Sequence, residues 1–226
     1  NMIRLGDEST MYYRIEAGFV RLCLKSFGRL HVTGQEYIPP YGPLIVVSNH
    51  LSYNDPPFIA SVVTRPLDFL GKKELFNNAF VGYFMRRFRV YPIDRSGGAE
   101  AMNIAMHLLG NDHALAIFPE GQRSPAFTLQ KAKPGAAYLA LKSQAPILPI
   151  AVYGTEKYPA WRMLFPFRKL HVNIGSPFTL PVIEGNYTKG VINGSSDIIM
   201  GRIADLLPDE YKSAPFKIVS AKDRVI

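Results

Sequence analysis

The 226-residue chain has a single cysteine, Cys23, so it can form no internal disulfide, and its fold must rest on burial and hydrogen bonding. A reduced, cytosolic setting fits this composition best. No apolar run reaches the ~18–20 residues that a helix needs to span a bilayer, so any membrane contact is expected to be peripheral or monotopic. Residues 1–10 contain no basic segment followed by an apolar stretch, and no secretory signal is expected. Internal repeats and low-complexity segments are missing too. So is any Gly-x-Ser-x-Gly turn, which removes the usual serine-hydrolase signature. His31, His107, His113 and His171 lack the carboxylate spacing of a metal site, and no metal is expected.

What is present is a globular composition, 47% hydrophobic and 19% charged, with a net charge of +8. That balance favours anionic partners: nucleic acid, lipid head groups or phosphorylated substrates. Short β-branched or aromatic runs predict strands at Leu30–Thr33, Leu44–Ser48, Leu67–Leu70, Val90–Ile93, Ala114–Phe118, Ile147–Tyr153 and Lys169–Ile174. Between them, helices are predicted at Pro57–Thr64, Lys73–Phe84, Ala99–Leu109, Pro134–Ser143 and Ser196–Leu207. The alternation implies an α/β layered domain, with a largely parallel central sheet of about seven strands flanked by helices. Gly185 to Ser196 is predicted to be a mobile connection.

Residues 11–27 predict a further helix. Arg14, Arg21 and Lys25 share one narrow stripe at 100° per residue, while apolar side chains cover most of the remainder. Such a helix either packs on the domain or lies at a lipid interface with its basic stripe near head groups. The chain thus divides into an N-terminal amphipathic, membrane-associating helix at 1–28 and a main domain at 29–226.

Three clusters carry chemistry. In Asn49-His50-Leu51-Ser52-Tyr53-Asn54-Asp55, His50 follows a predicted strand, where ligands bind in parallel α/β sheets. Asp55 can fold back to hold the imidazole, leaving His50 to act as a general base on a hydroxyl supplied by the substrate. Two plainer readings stand beside this one: Asp55 as a helix cap and His50 as a core histidine. The turn Phe118-Pro119-Glu120-Gly121-Gln122-Arg123-Ser124 presents Glu120 and Arg123 after another strand, with Gly121 permitting close backbone approach. A guanidinium there suits bidentate phosphate binding, although a local Glu–Arg pair would look the same. Lys72 and Arg95 each lie at or just after a predicted strand end. Arg86, Arg87 and Arg89 read as a solvated or lipid-facing patch.

Taken in chain order, these blocks resemble the glycerolipid acyltransferase family. Asn-His-x-x-x-x-Asp is its first signature. The Lys-rich segment from Gly71-Lys72-Lys73 to Ile93-Asp94-Arg95 is similar to its second, and Phe-Pro-Glu-Gly-x-Arg-Ser to its third. An apolar strand with an internal proline, Ile147-Leu148-Pro149-Ile150-Ala151, matches the fourth, and Lys133-Pro134-Gly135-Ala136 resembles the helix start between the last two. The likeness runs from about Gly34 to Gly175. Gln122 departs from the threonine most common at that place, and Arg86-Arg87-Phe88-Arg89 is unusually basic, which leaves the acceptor open.

The resemblance implies His50 as base and Asp55 as its orienting partner. Lys72, Arg95 and Arg123 would hold the phosphate of a lysophosphatidic acid or related lysophospholipid, with Glu120 and Gly121 shaping that site. It also implies acyl-CoA or acyl carrier protein as donor, direct attack with no acyl-enzyme, no cofactor, and a place on the cytoplasmic side of a membrane. Nucleic acid is not an expected partner. The competing readings are a non-catalytic binder of anionic lipid or nucleic acid, and a His/Asp-assisted thioesterase or lysolipid hydrolase.

Overall fold

The computed structural model describes residues 7–27, 29–94, 98–156 and 169–213. The chain runs α1 (Asp7–Phe27), β1 (Leu30–Thr33), β2 (Leu44–Ser48), α2 (Asp55–Val62), β3 (Leu67–Lys72), α3 (Ala79–Arg87), β4 (Val90–Ile93), α4 (Gly98–Gly110), β5 (Ala114–Ile117), α5 (Pro134–Ser143), β6 (Ile147–Tyr153), β7 (Leu170–Ile174) and α6 (Lys189–Asp205). The seven strands form one sheet in the order β1-β7-β6-β2-β5-β3-β4.

β6, β2, β5, β3 and β4 all run parallel. β7 is antiparallel to β6, and β1 follows β7. The predicted α/β layered architecture with a largely parallel sheet is therefore present. The parallel block has one consequence for the site: its five strands, distant in sequence, all end on the same rim.

Central β2 is buried along its whole length, as expected of a parallel strand covered on both faces. Its alternation divides the core. Ile45 and Val47 meet residues from α4, α5 and α6, whereas Leu44 and Val46 meet residues from α1 and α2. Three layers result, with the sheet in the middle.

Helix α1 packs on the domain along one face and leaves a second apolar face outward. Tyr13, Ala17, Val20, Cys23 and Leu24 are buried, with Val20 and Leu24 packing on Phe58 of α2 and Leu170 of β7. Met11, Tyr12, Ile15, Phe19 and Leu22 face outward, with Phe19 and Leu22 54% and 63% exposed. Among the described residues no helix is long and apolar enough to cross a membrane.

Several element boundaries differ from expectation. The predicted helix over 73–84 is broken into a 3-10 turn, Lys73–Phe76, and helix α3. Asn78 causes the break, since its Oδ1 accepts hydrogen bonds from the backbone N–H groups of Phe80 and Val81 at 3.0 and 3.1 Å. The predicted mobile connection is mostly helix. Thr188 caps α6 through its Oγ1, and Ser195 and Ser196 are buried where small side chains admit close packing. Arg89 is no surface cation either. It is buried against fully buried Asp68, with Nε–Oδ1 at 2.8 Å and Nη2–Oδ2 at 3.1 Å.

Candidate active site

β2 ends at Ser48, and Asn49 takes over the pairing with β6 through its side chain. Its Nδ2 donates to the Val152 carbonyl and its Oδ1 accepts from the Val152 N–H, both at 2.8 Å. The amide thus stands in for a peptide unit, keeping the two strands in register while the backbone turns away. His50 emerges at that point.

His50 Nδ1 lies 2.9 Å from Asp55 Oδ2. The same oxygen accepts the backbone N–H groups of Leu51 and Ser52, both at 2.7 Å. Asp55 Oδ1 accepts a hydrogen bond from Thr155 Oγ1 at 2.6 Å. Asp55 opens α2 yet does not cap it, because its side chain turns back to the preceding loop; Pro56 and Pro57 fill the first turn, where a missing N–H costs nothing. The His50 side chain keeps 16% of its surface exposed beside a fully buried Asp55 carboxylate. Phe118 stacks on its ring at 4.2 Å between centroids. A bonded carboxylate fixes the tautomer with hydrogen on Nδ1, leaving the Nε2 lone pair able to accept a proton.

The loop after β5 closes over this pair. Glu120 turns inward: its Oε1 accepts from the backbone N–H of His50 at 2.9 Å, and its Oε2 accepts from that of Gln130 at 3.1 Å. Ser124 N–H donates to the His50 carbonyl at 2.8 Å, so both backbone polar groups of His50 are tied to this loop. Burial pushes the Glu120 carboxyl up to about 7, against the two backbone donors, and the negative Asp55 nearby adds to the rise.

Arg123 reaches outward. Its guanidinium lies 3.6 Å from the centre of the Tyr53 ring, and Nη2 donates to Tyr53 Oη at 2.9 Å. Gly121 adopts φ +68°, and a Cβ there would come within 2.7 Å of Lys133 Cδ and 3.1 Å of its Nζ. The positive φ is what calls for glycine here, since the flexible lysine end lying across it could swing aside.

Lys72 is the exposed last residue of β3, paired in register with Ile93 of β4, whereas the predicted strand stops two residues earlier at Leu70. It shares the rim with His50 and Arg123, because β2, β5 and β3 are parallel neighbours. Arg95 lies outside the described residues. Among the described residues, no group of three His, Cys, Asp or Glu side chains is placed to hold a metal ion.

Sequence reasoning missed four contributors: Thr155, Tyr53, Lys133 and the structural part played by Asn49. Asn49 and Tyr53 sat in view inside the first block. Thr155 carried no local signal, since its partner lies 100 residues away.

Known proteins are similar to this chain in sequence and fold. A family model described as Acyltransferase matches residues 29–153, more than half of the chain. The 1-acyl-sn-glycerol-3-phosphate acyltransferase of Bacillus subtilis is 26% identical over 73% of this chain and 81% of its own length. That of Streptococcus pneumoniae is 29% identical over 80% of this chain and 68% of its own. The crystal structure of the 1-acyl-sn-glycerophosphate acyltransferase PlsC from Thermotoga maritima superposes with a TM-score of 0.66. It covers 91% of this chain and 84% of that one at 24% identity, a likeness of fold. The chain belongs to the acyltransferase family, alongside the PlsC-like enzymes that its sequence blocks resemble.

Proposed function

We propose that the protein transfers a fatty acyl group from acyl-CoA or acyl carrier protein to a hydroxyl of lysophosphatidic acid or a related lysophospholipid. The observation that carries this reading is the His50–Asp55 pair, held at 2.9 Å on the rim of a parallel sheet. Nε2 of His50 takes the proton of the acceptor hydroxyl as its oxygen attacks the thioester carbonyl. The carbon–sulfur bond breaks, and the departing thiolate recovers the proton from the imidazolium. Asp55 stabilises that imidazolium without itself taking the proton. The substrate supplies the nucleophile, so no acyl-enzyme accumulates.

Arg123, Lys72 and Arg95 are assigned to the acceptor phosphate, with Glu120 and Gly121 shaping the loop that presents Arg123. Both Glu120 oxygens already accept backbone hydrogen bonds, so its contribution is to fix where His50 sits. The curated relatives from B. subtilis and S. pneumoniae are both named for 1-acylglycerol-3-phosphate, which supports a phosphate-bearing acceptor.

The outward apolar side of α1 is assigned to a membrane surface on the cytoplasmic side, where both substrates would be found. α3 extends it. Phe80, Tyr83 and Phe84 are 72%, 51% and 42% exposed, and the Arg87 guanidinium lies 3.7 Å from the Tyr12 ring and 4.8 Å from the Tyr83 ring, joining the two helices. Arg14, Arg21 and Lys25 border the exposed apolar stripe of α1, an arrangement suited to anionic head groups.

Acyl transfer by purified His50→Ala, measured with lysophosphatidic acid and with a phosphate-free monoacylglycerol, tests the reading. The variant is expected to fold and to lose at least about a thousandfold in turnover. Undiminished turnover would remove His50 as base, and equal use of the phosphate-free acceptor would remove the role of Arg123.

A further inference from the structure

The fully buried Asp55 carboxylate is served unevenly. Oδ2 accepts three donors, His50 Nδ1 and the N–H groups of Leu51 and Ser52. Among the described residues, Oδ1 accepts one, the Thr155 hydroxyl at 2.6 Å. A buried ionised oxygen without a donor is costly, and a carboxylate rotating to share its donors would carry Oδ2 away from His50. The distance is in the range of a charge-assisted O–H···O bond, in which the hydroxyl must donate because the carboxylate can only accept.

Thr155 is delivered there by specific backbone features. Asn49 holds Val152 of β6 in register with the end of β2. Gly154 then turns the chain at φ +87°, where a Cβ would lie 2.4 Å from the Lys169 carbonyl oxygen. Its N–H is held by Glu156 Oε2 at 3.0 Å. The turn places Thr155 at 0% exposure, directly against Asp55.

We infer that Thr155 is a positioning residue for the general base, fixing the rotation of the Asp55 carboxylate so that Oδ2 addresses His50. The orientation of the base in the first sequence block thereby depends on the turn that follows β6, the continuation of the fourth block. This inference rests on the proposed acyl transfer, in which His50 is the base.

Thr155→Val removes the hydroxyl at nearly constant volume, while Thr155→Ser keeps it and Thr155→Cys retains only a weak donor. Acyl transfer is measured for all three, with His50→Ala alongside. Thr155→Val is expected to lower kcat by about ten- to a hundredfold, the range for losing a hydrogen bond to a buried charged group, with KM for donor and acceptor little changed. Thr155→Ser recovers most of the rate, and Thr155→Cys falls between. If Val fails to fold, the Ser-to-Cys step carries the same expectation in smaller measure.

Wild-type kcat in Thr155→Val would overturn the inference. So would equal loss in all three variants, or a loss carried by KM, the mark of a packing role. Activity surviving in His50→Ala would instead defeat the reading on which the inference rests.

Discussion

Glu120→Gln changes a single titrating group and leaves the side chain's shape intact. In the folded protein burial raises the Glu120 carboxyl from 4.5 to about 7. The folded state therefore binds a proton that the unfolded chain has already released over that interval. Stability must fall as pH rises through it, and each unit corresponds to ~1.36 kcal/mol. Over the whole interval the loss comes to about 3 kcal/mol, full stability from this source being present below pH 4.5 and gone above pH 7. Glutamine does not titrate. Its amide presents a donor where one carboxylate oxygen accepted a backbone N–H, a penalty that is the same at every pH. Urea unfolding of both proteins at intervals from pH 4.5 to 8 isolates the effect, because all other titrations cancel in the difference. The wild-type advantage is expected to be largest at the acid end and to shrink by about 3 kcal/mol toward neutrality. A difference that stays constant, or widens, would refute the claim that burial dominates over the two backbone donors.

Three other outcomes follow from the geometry. Arg89→Met leaves the buried Asp68 carboxylate without its two guanidinium hydrogen bonds and should cost about 3–5 kcal/mol in denaturant midpoint analysis, whereas Asp68→Asn/Arg89→Met together should cost less than the two single changes summed. Gly121→Ala imposes a strained φ and displaces the Lys133 side chain; its expected signature is a raised KM for the phosphate-bearing acceptor with smaller change in the KM for donor. Phe19→Asp/Phe84→Asp should leave the thermal midpoint nearly unchanged, since both side chains are exposed, yet should sharply weaken sedimentation with anionic vesicles.

Much of this was legible in the chain because it is local. The runs Leu30–Thr33, Leu44–Ser48 and Ile147–Tyr153 are strands with the boundaries their composition predicts. Pro134 opens α5 for the reason that proline suits a first helical turn. His50 and Asp55 meet because five residues across a tight turn leave them few alternatives. What was hidden depended on partners remote in sequence or on a competing local rule. Asn78 ended one predicted helix by capping another. Gly190, Gly194, Ser195 and Ser196 imitate a flexible linker in composition, but they belong to a helix that Thr188 caps and that buries Ser195 and Ser196. Arg89 looks like its exposed neighbour Arg86 until Asp68, 21 residues earlier, is placed opposite it. The reversal of β7 against β6 has no signature in either strand, since pairing direction is a property of the connection between them.

The side-chain amide of Asn49 bears on how substitutions at this locus should be interpreted. One donor and one acceptor at that short reach complete a ladder between β2 and β6, so aspartate would set its charge against the Val152 carbonyl and glutamine would overshoot. An inactive variant at this position would look, in any screen for turnover, like the loss of a reacting group. Its true lesion would be a slipped seam in the sheet. In this chain the first letter of the Asn-His-x-x-x-x-Asp signature serves the architecture of the sheet, and a screen scored on product alone would not reveal it.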